Sequence, residues 1–132
     1  MEYSIHAETE SNNDGIISIK LSKIEFGTTS KTAEKLPNPA ELFLGSFASC
    51  ILKNVERFSE LMQFSYLKTS IIVSATRLEN PPRINQLSYK LTIYSNDQKL
   101  NIKLLKKNIE KFGTIYNTVK QSSSITGIII RL

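Results

Sequence analysis

The sequence predicts an α+β domain in which antiparallel β-sheet surrounds a buried central helix. Apolar and polar residues alternate in short segments on both sides of the chain's middle, which is typical of strands with one buried face. Between these segments, the stretch from Asn38 to Gln63 carries a strong helix start followed by an uncharged apolar run. The length of 132 residues indicates a single domain, residues 1–132.

The N-terminal part predicts a β-hairpin. Its turn signal is Asn12-Asn13-Asp14-Gly15, and apolar residues alternate with polar ones on both sides of it. The alternating residues are Tyr3, Ile5 and Ala7 before the turn and Ile17, Ile19 and Leu21 after it. Ile24 and Phe26 either extend the second strand or form a short third one. An aperiodic segment from Gly27 to Pro37 then predicts a loop.

The central helix begins with a capping box, in which Asn38 and Glu41 satisfy each other's backbone N–H groups. Pro39 suits the first helical position because its missing donor is not needed there. From Leu42 to Leu52 no side chain is charged, and apolar groups occupy every face. The sequence therefore predicts a helix that is buried on all sides. The run is too short to span a bilayer.

Two paired strands are predicted after the central helix. The break between them is Asn80-Pro81-Pro82-Arg83, because two prolines cannot continue a ladder. The predicted inner faces are Leu67, Thr69, Ile71, Val73 and Ala75 in the first strand and Leu87, Tyr89, Leu91 and Ile93 in the second. We expect the two strands to pair antiparallel.

Two helices and a strand are predicted to complete the chain. Asn96 or Asp97 is expected to cap the second helix, and Gly113 to end it. The apolar stripe of this helix is Ile102, Leu105, Ile109 and Phe112. Thr114 is expected to cap a short third helix that ends near Gln121. The β-branched segment from Ile125 to Leu132 predicts the last strand.

Burial of the central helix on all sides predicts a second subunit. One antiparallel sheet covers one face of a helix, and the chain's other predicted helices are short and strongly charged. Gly45 and Ser49 place small groups on one face, where another backbone can approach closely. We therefore predict a homodimer whose central helices pack together across a two-fold axis.

Composition argues against several function classes. The net charge of +5 is modest and no arginine-rich stripe is present, so a nucleic-acid partner is not predicted. His6 is the only histidine, so neither a histidine metal site nor another metal site is expected. Phosphate-loop and dinucleotide patterns are absent, and no cofactor is predicted. A single cysteine and an N-terminus without a signal-peptide core favour a cytoplasmic protein that does not enter membranes.

Cys50 is the only strong nucleophile candidate in the chain. A buried cysteine is usually inert, whereas a reactive thiolate needs a positive neighbour. Arg57 lies about two helical turns further on, and Lys31 and Lys35 lie in the loop before the helix; the sequence does not choose among them. Glu41 either completes the capping box or orients such a basic group.

Two segments resemble the OsmC/Ohr superfamily of osmotically inducible and organic hydroperoxide resistance proteins. Asn38-Pro39-Ala40-Glu41-Leu42-Phe43 and Ala48-Ser49-Cys50 are similar to the family's Asn/Ser-Pro-x-Glu-Leu…Ala-x-Cys signature. The segment from Lys111 to Val119 is similar to its Lys-Tyr-Cys-Pro-Val-x-Asn-Thr-Leu segment. The order of predicted elements agrees along nearly the whole chain.

The resemblance implies an intertwined homodimer with two sites at its interface, in which the cysteine matching Cys50 reduces hydroperoxides through a sulfenic acid. It also implies a second cysteine that closes a disulfide, an activating arginine from the N-terminal region, and a glutamate, here Glu41, that holds this arginine. The chain departs from the pattern, because Gly113 and Thr114 replace the Cys-Pro pair and no arginine precedes Arg57. Lys31 or Lys35 would have to take the place of the activating arginine.

Two hypotheses follow from this combination. The first is a one-cysteine thiol peroxidase of oxidative-stress defence, with Cys50 and Glu41 at the site, an organic hydroperoxide as substrate and an external thiol as reductant. The second is a binding protein without peroxidase activity that holds a small apolar or acyl-type ligand in the interface pocket of the dimer.

Overall fold

The computed structural model describes residues 1–132, which form two compact units, Met1–Phe43 and Leu44–Leu132. The N-terminal unit contains strands β1 (His6–Thr9), β2 (Gly15–Ile19) and β3 (Ser22–Phe26) and a 3-10 turn at Ser30–Thr32. The central helix α1 (Pro39–Leu61) begins in this unit and continues into the next. The C-terminal unit adds β4 (Lys68–Glu79), β5 (Pro82–Tyr94), α2 (Ile102–Phe112), α3 (Thr114–Lys120) and β6 (Ile125–Arg131).

The N-terminal unit is an antiparallel sheet with the strand order β1-β2-β3. The predicted hairpin is confirmed, and of the two alternatives for Ile24 and Phe26 the separate third strand is correct. Tyr3 and Ile5 precede β1 and are exposed, so the predicted start of that strand is too early. Leu21 is also exposed, because the chain turns at Lys20, whose φ of 53° is left-handed.

Asp14 holds the end of the N-terminal sheet to the following loop. Its Oδ1 accepts hydrogen bonds from the backbone N–H of Thr28 at 3.0 Å and from the hydroxyl of Thr32 at 2.6 Å. These bonds favour the ionised carboxylate, and that of Thr32 is the main reason that the pKa of Asp14 lies below its ordinary value. The segment that was predicted to be an irregular loop is therefore tied to the sheet through one carboxylate.

The capping box of α1 is confirmed. The Glu41 N–H donates to Asn38 Oδ1 at 2.8 Å, and the Asn38 N–H donates to Glu41 Oε1 at 3.0 Å. Within a single chain, only one face of the apolar run of α1 is covered. Phe47 and Ile51 are completely buried, whereas Gly45, Ser46 and Ser49 are exposed. The predicted cover of the remaining face by a second subunit stays a prediction.

The C-terminal sheet has the strand order β4-β5-β6. β4 and β5 pair antiparallel around a turn at Asn80 and Pro81, and the break is shorter than predicted because Pro82 and Arg83 already belong to β5. Their predicted inner faces are confirmed except for Leu67, which precedes β4 and is exposed. β6 pairs with β5 in parallel, so the expectation of purely antiparallel sheet is wrong for this pair. Parallel neighbours need a long crossover connection, and α2 and α3 provide it.

The core of the C-terminal unit combines α1, the inner face of this sheet, α2 and α3. Its most completely buried side chains are Phe47, Ile51, Val55, Leu87, Leu91, Ile93, Leu105 and Ile109. This core fixes one face of α1 against the sheet and the crossover helices, and it thereby sets the surroundings of Cys50.

Two helix caps differ from the predicted ones. Asn101, rather than Asn96 or Asp97, caps α2, because its side chain accepts the N–H of Leu104 at 3.0 Å. Asp97 instead accepts the N–H groups of Lys99 and Ser65. Gly113 ends α2 as expected, but it also caps α3, and its neighbour Thr114 is the first helical residue.

None of the helices combines the length and the apolarity that a membrane span requires. The assignment of residues 1–132 to one domain and the cytoplasmic location stay predictions.

Candidate functional site

Cys50 lies about three turns into α1 with a free, partly buried thiol. Asn54, one turn further along the same face, is 8% exposed. The Asn54 Nδ2 atom lies 2.9 Å from the backbone oxygen of Cys50 and 3.7 Å from its Sγ atom. An amide nitrogen carries two hydrogens, so it can serve both acceptors at once.

Gly113 lies against the same sulfur from the junction of α2 and α3. A Cβ atom built on Gly113 would lie 3.4 Å from Cys50 Sγ, 3.0 Å from the backbone oxygen of Ile109 and 3.0 Å from the Cβ of Tyr116. The fold therefore brings together two positions that are far apart in the sequence. Gly113 is also the position at which the resemblance implies a second cysteine.

A fixed aromatic group lies next to this junction. The Tyr116 ring stacks on the Phe47 ring, with 5.9 Å between their centroids, and the Tyr89 ring lies 6.3 Å from Phe47. The Tyr89 hydroxyl donates to Glu110 Oε2 at 2.8 Å, and Lys106 Nζ lies 3.0 Å from the same oxygen. These contacts hold the rings rigidly beside the helix that carries Cys50.

The two tyrosines stay neutral across the physiological pH range. Burial, followed by the Glu110 carboxylate, raises the pKa of Tyr116 to about 12. Burial is likewise the largest cause that raises the pKa of Tyr89, and its hydrogen bond to Glu110 adds to it. Neither residue therefore provides a phenolate base near pH 7.

The charged candidates are placed as follows. Glu41 lies nine residues before Cys50 on α1 and its carboxylate is engaged in the capping box. Lys31 and Lys35 belong to the N-terminal unit and are exposed. The guanidinium of Arg57 lies over the Phe58 ring, 5.3 Å from its centroid. The roles of these side chains at the site stay predictions.

Asn54 and Gly113 are the two residues beside the sulfur that the sequence analysis did not assign to the site. The spacing of four residues between Cys50 and Asn54 places both on one helix face, so this signal was available. Gly113 carried only the signal that it replaces a cysteine in a family segment.

A groove of about 350 Å³ lies elsewhere, over the outer face of the C-terminal sheet. Its lining includes Ile72, Lys90 and Ile128, and the hydroxyl groups of Ser74 and Ser88 lie 2.8 Å apart there. Cys50 does not line this groove, which is therefore separate from the candidate site.

A match to a known protein family identifies the family of the chain. Residues 30–127 match the model of the OsmC-like protein family. The chain belongs to this family. The matched range includes the segment from Asn38 to Cys50 and the segment from Lys111 to Val119, so both segments of the resemblance lie inside it.

Individual relatives of this OsmC-like protein agree. It is 30% identical over 112 residues to an organic hydroperoxide resistance protein-like protein of Mycoplasma genitalium, covering 80% of this chain and 79% of the relative. The fold is similar to that of an OsmC-like protein from Mycoplasma pneumoniae, with a TM-score of 0.88, 17% identity and coverage of 100% and 98% of the two chains. An organic hydroperoxide resistance protein OsmC from Legionella pneumophila gives a TM-score of 0.68, with 15% identity and 97% of each chain covered.

Proposed function

We propose that this OsmC-like protein is a one-cysteine thiol peroxidase that reduces organic hydroperoxides. The observation that carries the proposal is the pairing of Cys50 with Gly113. Cys50 stands at the end of the family's helix signature, and Gly113 lies beside its sulfur where the family's second cysteine is expected. The chain has only one cysteine, so the nucleophile is present and the internal reductant is not.

The proposed reaction needs two partners. The Cys50 thiolate attacks one oxygen of the hydroperoxide, the O–O bond breaks, and the leaving alkoxide takes a proton and departs as an alcohol. The sulfur is oxidised by two electrons to a sulfenic acid. A first molecule of an external thiol forms a mixed disulfide with Cys50 and releases water. A second thiol then attacks this disulfide, so that Cys50 is regenerated and the two external thiols leave joined by a disulfide bond.

We further propose that the protein acts as a homodimer built on the exposed face of α1. A Cβ atom at Gly45 would meet nothing within 4 Å, so a second helix could approach this backbone closely. In a dimer, the partner could also supply a basic group to Cys50. Glu41 together with Lys31 or Lys35 remains our proposal for that charge.

The test is intact mass spectrometry of the reduced protein mixed with stoichiometric tert-butyl hydroperoxide. We expect a rapid gain of one oxygen atom at Cys50 and its reversal by an added thiol. The Cys50→Ser variant is the matched control and should show no gain. Oxidation no faster than that of a small free thiol would refute peroxidase activity. Sedimentation that shows only monomer at micromolar concentration would refute the dimer.

A binding protein without peroxidase activity is the second candidate, and the absence of both the second cysteine and an N-terminal arginine favours it. It would hold a small apolar or acyl-type ligand at the interface of the dimer. Native mass spectrometry of the purified protein tests this candidate. A ligand that stays bound would support it, whereas a mass equal to that of the bare chains would count against it.

A further inference from the structure

The side chain of Asn54 is directed at the thiol of Cys50 from a buried position. It is 8% exposed, and its Nδ2 atom lies 3.7 Å from Cys50 Sγ. The same nitrogen donates to the backbone oxygen of Cys50 at 2.9 Å, and this bond fixes the orientation of the amide. The second N–H of the amide is left to point toward the sulfur.

We propose that Asn54 is the hydrogen-bond donor that stabilises the Cys50 thiolate. This inference deepens the proposed function, because a peroxidase needs the thiolate rather than the thiol. A hydrogen bond to the charged form of a group favours that form. Asn54 thereby supplies, from the same helix, part of the stabilisation that a nearby arginine would otherwise give.

The placement of Asn54 supports this role. Asparagine is an unfavourable residue inside a helix, and its polar side chain is costly to bury without partners. The bond of Asn54 to the Cys50 carbonyl offsets part of that cost. A serine or threonine at this position could also donate to that carbonyl. The reach of the asparagine amide to both the carbonyl and the sulfur is what distinguishes it. Gly113, which also lies near the sulfur, has no side chain and adds no donor.

Alkylation of Cys50 by iodoacetamide tests the proposal without any hydroperoxide, because only the thiolate reacts. Asn54→Leu keeps a similar side-chain size and removes the donor. At pH 7 we expect its alkylation rate to fall about tenfold below that of the unmodified protein. Asn54→Asp replaces the donor by a negative charge and should lower the rate further. Far-UV circular dichroism verifies that each variant is folded.

The pH dependence separates an electrostatic role from a steric one. Near pH 10.5, where a free thiol is almost wholly ionised, the rates of the variant and the unmodified protein should converge. A rate that is lowered equally at every pH would show that leucine only obstructs the thiol, and it would overturn the proposal. If Asn54→Leu does not fold, Asn54→Ser takes its place, since serine is too short to reach the sulfur.

Asn108 offers a matched control. Its Nδ2 atom lies 3.6 Å from the sulfur of Met62, so it is another helical asparagine in contact with a sulfur atom. Asn108→Leu should leave the alkylation rate of Cys50 unchanged. An Asn54→Leu rate at pH 7 within about twofold of the unmodified rate would overturn the proposal.

The two hypotheses fail separately in these experiments. If Cys50 alkylation depends on Asn54 but no oxygen is gained from tert-butyl hydroperoxide, the peroxidase proposal fails and the role of Asn54 stands. If Cys50 gains oxygen rapidly and alkylation is indifferent to Asn54, the peroxidase proposal stands and another group stabilises the thiolate.

Discussion

The two compact units of the chain are stabilised in different ways. All 14 buried apolar side chains lie in the C-terminal unit, at or after Phe47. The N-terminal unit has none, and its Tyr3, Ile5 and Leu21 are 81%, 57% and 104% exposed. A small sheet needs a packed apolar face to be stable in water. The C-terminal unit can therefore fix the surroundings of Cys50 by itself, whereas the N-terminal unit needs cover from outside itself.

The sharpest test of this contrast replaces one glycine in each unit by alanine. A Cβ at Gly127 would lie 1.9 Å from the Tyr89 ring, which Phe47 and the bond to Glu110 hold in place. We expect Gly127→Ala to lower the free energy of unfolding by about 3 kcal/mol, because a fixed ring cannot make room. Denaturant titration measures this change.

The matched substitution in the N-terminal unit is Gly15→Ala. A Cβ at Gly15 would lie 2.2 Å from the far end of the Phe26 ring, which is partly exposed and can turn aside. The expected loss is below about 1 kcal/mol. Equal losses for both substitutions would show that Phe26 is packed as firmly as Tyr89, and the contrast between the units would be wrong.

An internal cross-link in the C-terminal unit is expected to change the free energy of unfolding by less than Gly127→Ala does. Gly113→Cys would place a Cβ 3.4 Å from Cys50 Sγ. In a disulfide a Cβ lies about 3 Å from the partner's sulfur, so a small shift would allow the bond. Under oxidising conditions we expect a disulfide that stabilises the protein by about 2 kcal/mol, since Ile109 and Tyr116 must yield slightly. Intact mass, as a loss of two hydrogens, and denaturant titration measure the result.

The control for this cross-link is the double variant Gly113→Cys with Cys50→Ser. It should gain no stability on oxidation and should show no loss of mass. If the single variant keeps two free thiols under oxidising conditions, the close approach of Gly113 to Cys50 is wrong.

Hydrogen exchange measured at two protein concentrations tests whether a second copy of the chain covers the N-terminal sheet. If a second copy provides it, a hundredfold dilution raises the monomer fraction about tenfold by mass action. Exchange of the β2 amides should accelerate by about the same factor, equivalent to about 1.4 kcal/mol. Amides of β5, which pair within the C-terminal sheet, should be unaffected. Exchange of β2 that is independent of concentration would rule out a second copy as the cover.

Local signals in the sequence were enough to predict most elements of the fold. The capping box joins Asn38 to Glu41, only three positions further along, and the inner faces of β4 and β5 follow from alternation alone. The cap of α2 was misplaced because Asp97 bonds the N–H of Ser65, a distant residue that no local pattern reveals. The direction of β6 was missed for the same reason, since the crossover helices set it.

At the candidate site, too, local contacts were predictable and contacts between distant segments were not. Asn54 lies four residues from Cys50, and helix geometry alone places the two side chains together. The approach of Gly113 to Cys50 depends on how α3 packs against α1, and sequence reasoning had no access to it without the family resemblance. The apolar run of α1 shows that this helix needs cover, but a local pattern does not show which chain provides it.

The smallest predicted effect is the loss of the Asp14 contacts in the N-terminal unit at acidic pH. The hydroxyl of Thr32 and the N–H of Thr28 lower the pKa of Asp14 below its ordinary value of 3.8. A depressed pKa in the folded state means that the carboxylate adds stability above pH 3.8, and that this stability is lost as pH falls through the lower folded value. Exchange of the Thr28 amide should therefore become less protected in that acid range.

Asp14→Asn should remove this pH dependence, because an amide does not titrate, and the Thr28 amide should be weakly protected at every pH. Asp97 provides the matched site in the C-terminal unit, where the N–H groups of Lys99 and Ser65 lower its pKa in the same way. Asp97→Asn should alter the exchange of Ser65 and leave that of Thr28 unchanged. If Asp14→Asn leaves the acid response of Thr28 intact, another group titrates there, and Asp14 does not hold the loop to the sheet.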